Sequence, residues 1–155
     1  MEKLNNHIIA FDTDILINWL TLENESITGK SLWEAPAKII SLVENGSVNG
    51  VLCLTTILEL RYVLHRKKHI TREQIELLIK DLSNVFKIYP PDEISLLKSN
   101  KLQSAYLMDP FDAILLSFCI HFEYKTLITR DTGLSDIASE FIEVFTPEEF
   151  IDKYL

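Results

Sequence analysis

The chain has 155 residues, 47% of them hydrophobic, and a formal net charge of −8 at pH 7. A chain of this length is typical of one domain, so we expect a single domain over residues 1–155 that folds without disulfides or a structural metal. The acidic balance argues against a binder that depends on phosphate neutralisation alone, and no apolar run approaches the ~20 residues of a membrane span.

Strand-like and helix-like segments alternate along the sequence. In chain order it predicts a strand at 7–11, helices at 15–22 and 32–44, a strand at 48–54, helices at 57–67 and 72–84, a strand at 85–88, helices at 92–107 and 111–122, a strand at 126–129, a short helix after Asp131, a strand at 141–145 and a final helix after Thr146. This alternation predicts an α/β fold with a parallel sheet covered on both faces, in which ligands bind beyond the carboxyl ends of the strands.

The cysteines and the N-terminus indicate where the protein works. Cys53 and Cys119 lie in apolar runs and are interpreted as buried free thiols, which fits a reducing cytosol. The polar segment from Met1 to Asn6 lacks the apolar region of a signal peptide. We therefore expect a cytoplasmic protein without a membrane anchor.

Four separate segments bring carboxylates to the predicted carboxyl edge of the sheet. They are Asp12 and Asp14 after the first strand, Glu59 in the first turn of the next strand's helix, Asp109 and Asp112 at the start of the apolar helix, and Asp131 after the strand at 126–129. Several carboxylates in one partly buried site repel each other unless a cation is present. Oxygen ligands favour Mg²⁺ or Mn²⁺.

Helix capping is the simpler explanation of each acid taken alone. Residues 56–59 (TILE) match a capping box, Asp109-Pro110 looks like a cap followed by proline, and Asp131 suits a cap. Residues 146–149 (TPEE) form the same box, with no sign of chemistry. The metal hypothesis therefore depends on the acids converging in space.

A zinc site is a weaker hypothesis. His65 and His69 have the i,i+4 spacing of zinc ligands, but a third ligand is not evident in the sequence. The basic residues around them, Arg66, Lys67 and Lys68, oppose a cation.

Four motifs in order carry a resemblance to a known family. They are residues 8–17 (IIAFDTDILI), 55–60 (TTILEL), 109–116 (DPFDAILL) and 127–131 (LITRD). With these motifs the chain resembles the PIN-domain nucleases over nearly its whole length. It is most similar to their VapC-type branch, the small toxin ribonucleases of toxin–antitoxin pairs.

The resemblance implies a fold, an activity and a set of residues. The fold is a three-layer α/β arrangement whose mostly parallel central sheet has four to five strands flanked by helices. The activity is RNA hydrolysis with Mg²⁺ or Mn²⁺ held by Asp12, Glu59, Asp112 and Asp131. Possible auxiliary residues are Asp14, which stands where asparagine is usual, Asp109 and Thr129. A polar stretch over residues 23–30 is a second departure from compact members.

The resemblance also bears on partners. RNA is the implied substrate, and Arg66, Lys67 and Arg61, in the basic segment 61–72, are the candidates for binding it. An antitoxin protein and a homodimer are the implied protein partners. Trp19, Leu22 and Trp33 are candidates for an apolar groove, although core packing explains tryptophan as well.

Two other functions stay open at this point. Residues 11–14 (FDTD) are similar to the nucleophile motif of haloacid-dehalogenase-like phosphatases, in which Asp12 would carry a phosphoaspartate. Leu16 stands where those enzymes have threonine or valine, and no lysine is well placed. The second is a non-catalytic PIN-like domain that binds RNA or protein, which the four acids speak against.

Overall fold

Five short strands form one parallel sheet at the centre of the protein, with eight helices around it, in the computed structural model, which describes residue 4 and residues 6 to 155. The strands are β1 (Ile8–Phe11), β2 (Asn49–Cys53), β3 (Lys87–Tyr89), β4 (Thr126–Ile128) and β5 (Glu143–Phe145). The helices are α1 (Thr13–Leu20), α2 (Glu34–Glu44), α3 (Leu54–Arg66), α4 (Arg72–Val85), α5 (Glu93–Ala105), α6 (Pro110–His121), α7 (Thr132–Ala138) and α8 (Pro147–Tyr154).

The strand order in space is β3-β2-β1-β4-β5. The chain therefore builds outward from β1 in one direction through β2 and β3, and then returns to add β4 and β5 on the other side. In β1, Ala10 is paired with Val51 of β2 and Leu127 of β4. The reversal between β1 and β4 is a topological switch point, where ligands of open parallel sheets bind.

The sheet divides the core into two layers because successive side chains of a strand point to opposite faces. Ile9 and Phe11 of β1 belong to one core, packed with helices α1 to α4 and α8. Ala10 belongs to the other core, which contains the buried residues of α6 and α7. This arrangement confirms the predicted three-layer fold with a parallel sheet.

Close packing against β2 requires a glycine. A Cβ atom built on Gly50 would come within 2.6 Å of the Phe86 ring and 2.8 Å of the Val43 side chain. The glycine lets α2 and the end of α4 lie directly against the strand, and so helps to fix the sheet that carries the site.

Two expectations from composition concern membrane spans and the N-terminus. None of the helices in the described part of the chain is both long and apolar enough to cross a membrane. The prediction about a signal peptide rests on Met1 to Asn6, of which residues 1–3 and 5 lie outside the described residues.

Candidate functional site

Asp12 and Thr129 lie at the switch point, directly after β1 and β4. The Thr13 backbone N–H donates to Oδ1 of Asp12 at 2.7 Å, so Asp12 caps α1. The Thr129 hydroxyl donates to the other carboxylate oxygen, also at 2.7 Å. Both side chains are buried. Capping therefore occupies one carboxylate oxygen of Asp12, and the side chain stays at the carboxyl edge of the sheet.

Asp14 and Asp131 flank this pair. Oδ2 of Asp14 accepts the backbone N–H of Arg130 at 3.0 Å, whereas its buried Oδ1 has no hydrogen-bond partner among the described residues. Asp131 caps α7 by accepting the Leu134 N–H at 3.0 Å, and its own N–H donates to the Thr129 hydroxyl at 3.0 Å. The loop after β4 thus contacts two carboxylates, Asp12 through the Thr129 hydroxyl and Asp14 through the Arg130 N–H.

A small cavity brings together acids from three different elements. Asp12, Glu59 of α3 and Asp112 of α6 line it. The remaining lining residues are Thr13, Thr55, Thr56, Phe111 and Leu115. Asp112 lies in the first turn of α6, where its N–H donates to the Asp109 cap at 3.0 Å. Asp109 itself is exposed, as is Asp131.

The capping interpretation of Glu59 is wrong. Helix α3 begins at Leu54, directly after β2, and its cap residue Cys53 makes no side-chain capping bond. Thr56 therefore lies inside the helix, and Glu59 lies in its second turn instead of its first. By contrast, the boxes at Thr71 and Thr146 form both of their hydrogen bonds. Helix capping therefore does not explain why Glu59 faces the cavity.

The electrostatics show that the acids are crowded. Burial raises the pKa of Asp12 to about 8; the Asp14 and Glu59 carboxylates add to the rise, and hydrogen bonds from Thr129 and Thr13 oppose it. Burial also raises the pKa of Asp112 to about 8, with Asp109, Asp12 and Asp131 adding to it.

Asp14 responds in the same way. Its burial raises the pKa to about 6 against the hydrogen bond from Arg130, and the Asp131 carboxylate contributes to the rise. Asp12, Asp14, Glu59, Asp112 and Asp131 therefore act on one another as like charges in one region.

The donor atoms of this region suit a hard divalent cation. They are carboxylate and hydroxyl oxygens, and Oδ1 of Asp14 is a buried oxygen that still lacks a partner. As positioned, no three His, Cys, Asp or Glu side chains among the described residues are grouped tightly enough to hold a metal ion. Carboxylates with raised pKa values repel one another, so a cation would have to draw them together.

The basic segment lies on α3 and the turn that follows it. Arg61 forms an ion pair with Glu76 of α4, while Arg66 and Lys67 are exposed. A second cavity is lined by Arg61, Tyr62, His65, Arg66, Arg72, Ile75 and Glu76. Nδ1 of His65 lies 3.3 Å from the carbonyl oxygen of Ile70, and no metal-binding group including His65 or His69 occurs in the described chain.

The candidate groove residues do not share one environment. Trp19 packs, partly buried, against the core cluster that contains Phe11. Leu22 is 60% exposed, and Trp33 lines a shallow cavity beside α2.

Sequence reasoning missed Arg130 and its partners. The Arg130 guanidinium donates to Asn18, to both carboxylate oxygens of Glu148 and to the Leu32 carbonyl, at 2.7 to 3.0 Å. The only signal in the sequence is the position of Arg130 between Thr129 and Asp131. Its partners lie in segments that no local pattern connects.

Comparisons with known proteins point to one family. A family model described as PIN domain matches residues 9–133. No curated protein sequence matches the chain significantly.

Among solved structures, the chain is similar to the crystal structure of FitAcB from Neisseria gonorrhoeae, with a TM-score of 0.64 and 21% identity, covering 90% of this chain and 98% of that one. It is similar to VapBC2 from Rickettsia felis bound to a promoter DNA fragment, with a TM-score of 0.65 and 13% identity over 90% and 98%. It is also similar to a toxin–antitoxin complex from Klebsiella pneumoniae, with a TM-score of 0.64 and 23% identity over 90% and 97%. These likenesses are in the fold.

Proposed function

The chain belongs to the PIN domain family, and from this premise we propose that it is a metal-dependent endoribonuclease that serves as the toxin of a toxin–antitoxin pair. The observation that carries the proposal is the shared cavity of Asp12, Glu59 and Asp112, with Asp131 joined to Asp12 through Thr129. These acids come from four separate segments, and Glu59 and Asp112 are not the capping residues of their helices.

In this proposal Asp12, Asp112 and Asp131 hold Mg²⁺ or Mn²⁺, with Glu59 as a further ligand or as the group that orients the attacking water. When bound, the ion activates a water and stabilises charge on the phosphate. Asp12 is the central ligand because it follows a buried strand and is held by Thr129. Glu59 is suited to receive the proton of the water, since its carboxylate is half-buried at the cavity.

The proposed substrate is RNA, bound mainly through its backbone. Arg66 is exposed in the last turn of the helix that carries Glu59, and Lys67 is exposed directly after it. Arg61 lines a cavity together with Arg66. Their charge would attract phosphates to a protein whose net charge is negative.

The proposed partners follow from the structural relatives, one of which is itself a toxin–antitoxin complex. We expect an antitoxin that blocks the site, and a homodimer in solution. The free thiols Cys53 and Cys119 are both buried and fit a cytoplasmic protein.

The test is an RNA cleavage assay with Mn²⁺, comparing the parent chain with Asp12→Asn and with Asp81→Asn, which changes an exposed acid on α4. Asparagine at position 12 retains an oxygen for the α1 cap while losing the charge. We expect the Asp12→Asn rate to fall at least about 100-fold, because metal stabilisation contributes several kcal/mol, whereas Asp81→Asn should cleave like the parent.

Equal cleavage by the parent and Asp12→Asn would contradict the assignment of the site. RNA binding without cleavage under any metal would favour the non-catalytic domain instead. Acid-stable phosphate trapped on Asp12 would favour the phosphatase, which membership of the PIN domain family does not support.

A further inference from the structure

Arg130 joins four segments of the chain. Its Nε donates to Oδ1 of Asn18 at 3.0 Å, and Nη1 and Nη2 donate to the two oxygens of Glu148 at 2.7 and 2.9 Å. Nη2 also donates to the Leu32 carbonyl at 3.0 Å. All three guanidinium nitrogens are therefore engaged, in the two-pronged geometry that fixes an arginine most firmly.

The backbone of the same residue holds the acidic site. The Arg130 N–H donates to Asp14, its preceding neighbour Thr129 donates to Asp12, and its following neighbour is Asp131. The Arg130 side chain thus anchors a short loop that contacts two site carboxylates, Asp12 and Asp14, and carries the third, Asp131.

The network extends beyond Arg130 on both sides. Asn18, which accepts from Arg130, donates through Nδ2 to Glu23 at 2.9 Å, and Glu23 also accepts from Lys68 at 3.0 Å. Burial would raise the pKa of Glu148, but the hydrogen bond from Arg130 holds it below its usual value, as expected of an ionised partner. The polar loop over residues 23–30 is therefore tied at Glu23 and, just beyond its end, at Leu32.

We propose that the Arg130–Glu148 pair is a positioning device that holds Asp14 and Asp131 in place at the acidic edge of the sheet. Mutually repelling carboxylates move apart unless the backbone that carries them is fixed, and this pair fixes it from the C-terminal helix. Glu148 also occupies the guanidinium, which keeps a mobile cation away from the proposed metal ligands. The part of this inference that concerns metal binding rests on the proposed function.

The alternative is an ion pair that only stabilises the fold. The Arg130 and Glu148 side chains are 20% and 33% exposed, so a contribution to stability is expected in either case. A loss of stability in a variant therefore decides nothing, and the test needs readouts at the site itself.

The first readout is the rate of hydrogen exchange at the Arg130 backbone amide, measured by NMR on the full chain without metal. Glu148→Gln and Arg130→Lys should speed exchange there about tenfold, because a charge-assisted contact that closes the loop is lost. The matched control is Glu149→Gln, which makes the same charge change in the same helical turn and keeps the capping bond to Thr146.

The second readout is Mn²⁺ affinity by calorimetry at a pH where all variants are folded. We expect Arg130→Lys and Glu148→Gln to bind Mn²⁺ roughly tenfold more weakly, the usual effect of losing a group that orients a ligand. Glu149→Gln should bind like the parent.

The outcomes separate the two proposals. If the parent binds Mn²⁺ and both variants match it in affinity and in exchange, the positioning role is wrong while the nuclease assignment stands. If the parent fails to bind Mn²⁺ at all, the proposed function is wrong, and amide exchange alone decides whether the pair holds Asp14. Slower folding or lower stability with unchanged exchange and affinity also overturns the positioning role.

Discussion

The Thr129 hydroxyl lies 2.7 Å from Oδ2 of Asp12 and joins the ends of β4 and β1, which are 117 residues apart in sequence. The Thr129 hydroxyl oxygen in turn accepts the Asp131 N–H at 3.0 Å. A hydroxyl can donate one proton and accept through its lone pairs. Because the Asp131 N–H uses a lone pair of Thr129, the hydroxyl proton remains available to donate to Asp12. One threonine therefore sets the position of two of the proposed metal ligands.

Thr129→Val should impair cleavage without removing any ligand. Valine has nearly the same shape but leaves the buried Asp12 oxygen and the Asp131 N–H without this partner. We expect the cleavage rate at saturating Mn²⁺ to fall about 10- to 100-fold and the free energy of unfolding to fall by about 1 to 3 kcal/mol.

Thr129→Ser is the matched control, since it keeps the hydroxyl. Single-turnover cleavage and urea denaturation measure the two effects. If valine cleaves as fast as serine, Thr129 has no positioning role at the site.

The metal-free protein should lose stability as the pH rises toward alkaline values. Burial raises the pKa of Asp12 and Asp112 to about 8 and that of Asp14 to about 6, from an ordinary value of 3.8. The folded state therefore holds protons that the unfolded state has released, and the stability they provide is lost as the pH passes through the folded values.

Urea denaturation with a chelator present, at intervals from about pH 5 to pH 9, measures this dependence. Asp12→Asn should flatten it, and Asp81→Asn should leave it unchanged. Stability that rises through this window would show that the acids are not crowded.

Asp14→Asn should stabilise the metal-free protein. The amide oxygen can still accept the Arg130 N–H, while the buried negative charge beside Asp12 disappears. At pH 8 we expect a gain of about 1 to 3 kcal/mol in the free energy of unfolding. The gain should shrink at pH 5, because Asp14 is then protonated in the parent.

Mn²⁺ affinity measured on the same variant tells whether Asp14 is also a ligand. An affinity equal to that of the parent would show that Asp14 is not one of the metal ligands. A variant that is less stable than the parent at pH 8 would disprove the electrostatic argument for this position.

The strands and most helices were predictable because the apolar pattern that defines them is local. The start of α3 was not predictable in this way, because β2 runs into the helix without a turn and Thr56 resembles a cap residue in the sequence. That error concealed the position of Glu59 in the second turn, where its side chain lines the cavity. The Lys87–Tyr89 strand also begins two residues later than its apolar pattern predicts.

The candidate acids were predicted one by one from their places after strands, but their hydrogen-bond partners were not predicted. Glu148 lies in the first turn of α8, where an acid is favoured locally, although its side chain bonds to Arg130. A contact between different elements depends on how the sheet orders β4 and β5. Local patterns contain no such information.

Arg66→Ala should weaken RNA binding more than Arg61→Ala does. Arg66 is exposed at the end of α3, whereas Arg61 is already paired with Glu76 and would have to give up that partner to bind a phosphate. Losing one phosphate contact should lower the slope of log affinity against log salt by about one. Fluorescence anisotropy with a labelled single-stranded RNA, over a series of salt concentrations and in the Asp12→Asn background to prevent cleavage, measures both quantities.

Lys38→Ala is the control for this comparison, because it removes an exposed charge from α2. Affinity and salt slope that are the same for Arg66→Ala and Lys38→Ala would place the RNA path elsewhere. A larger loss with Arg61→Ala would mean that RNA displaces Glu76, and the path would then run along α3 and α4 through the cavity they share.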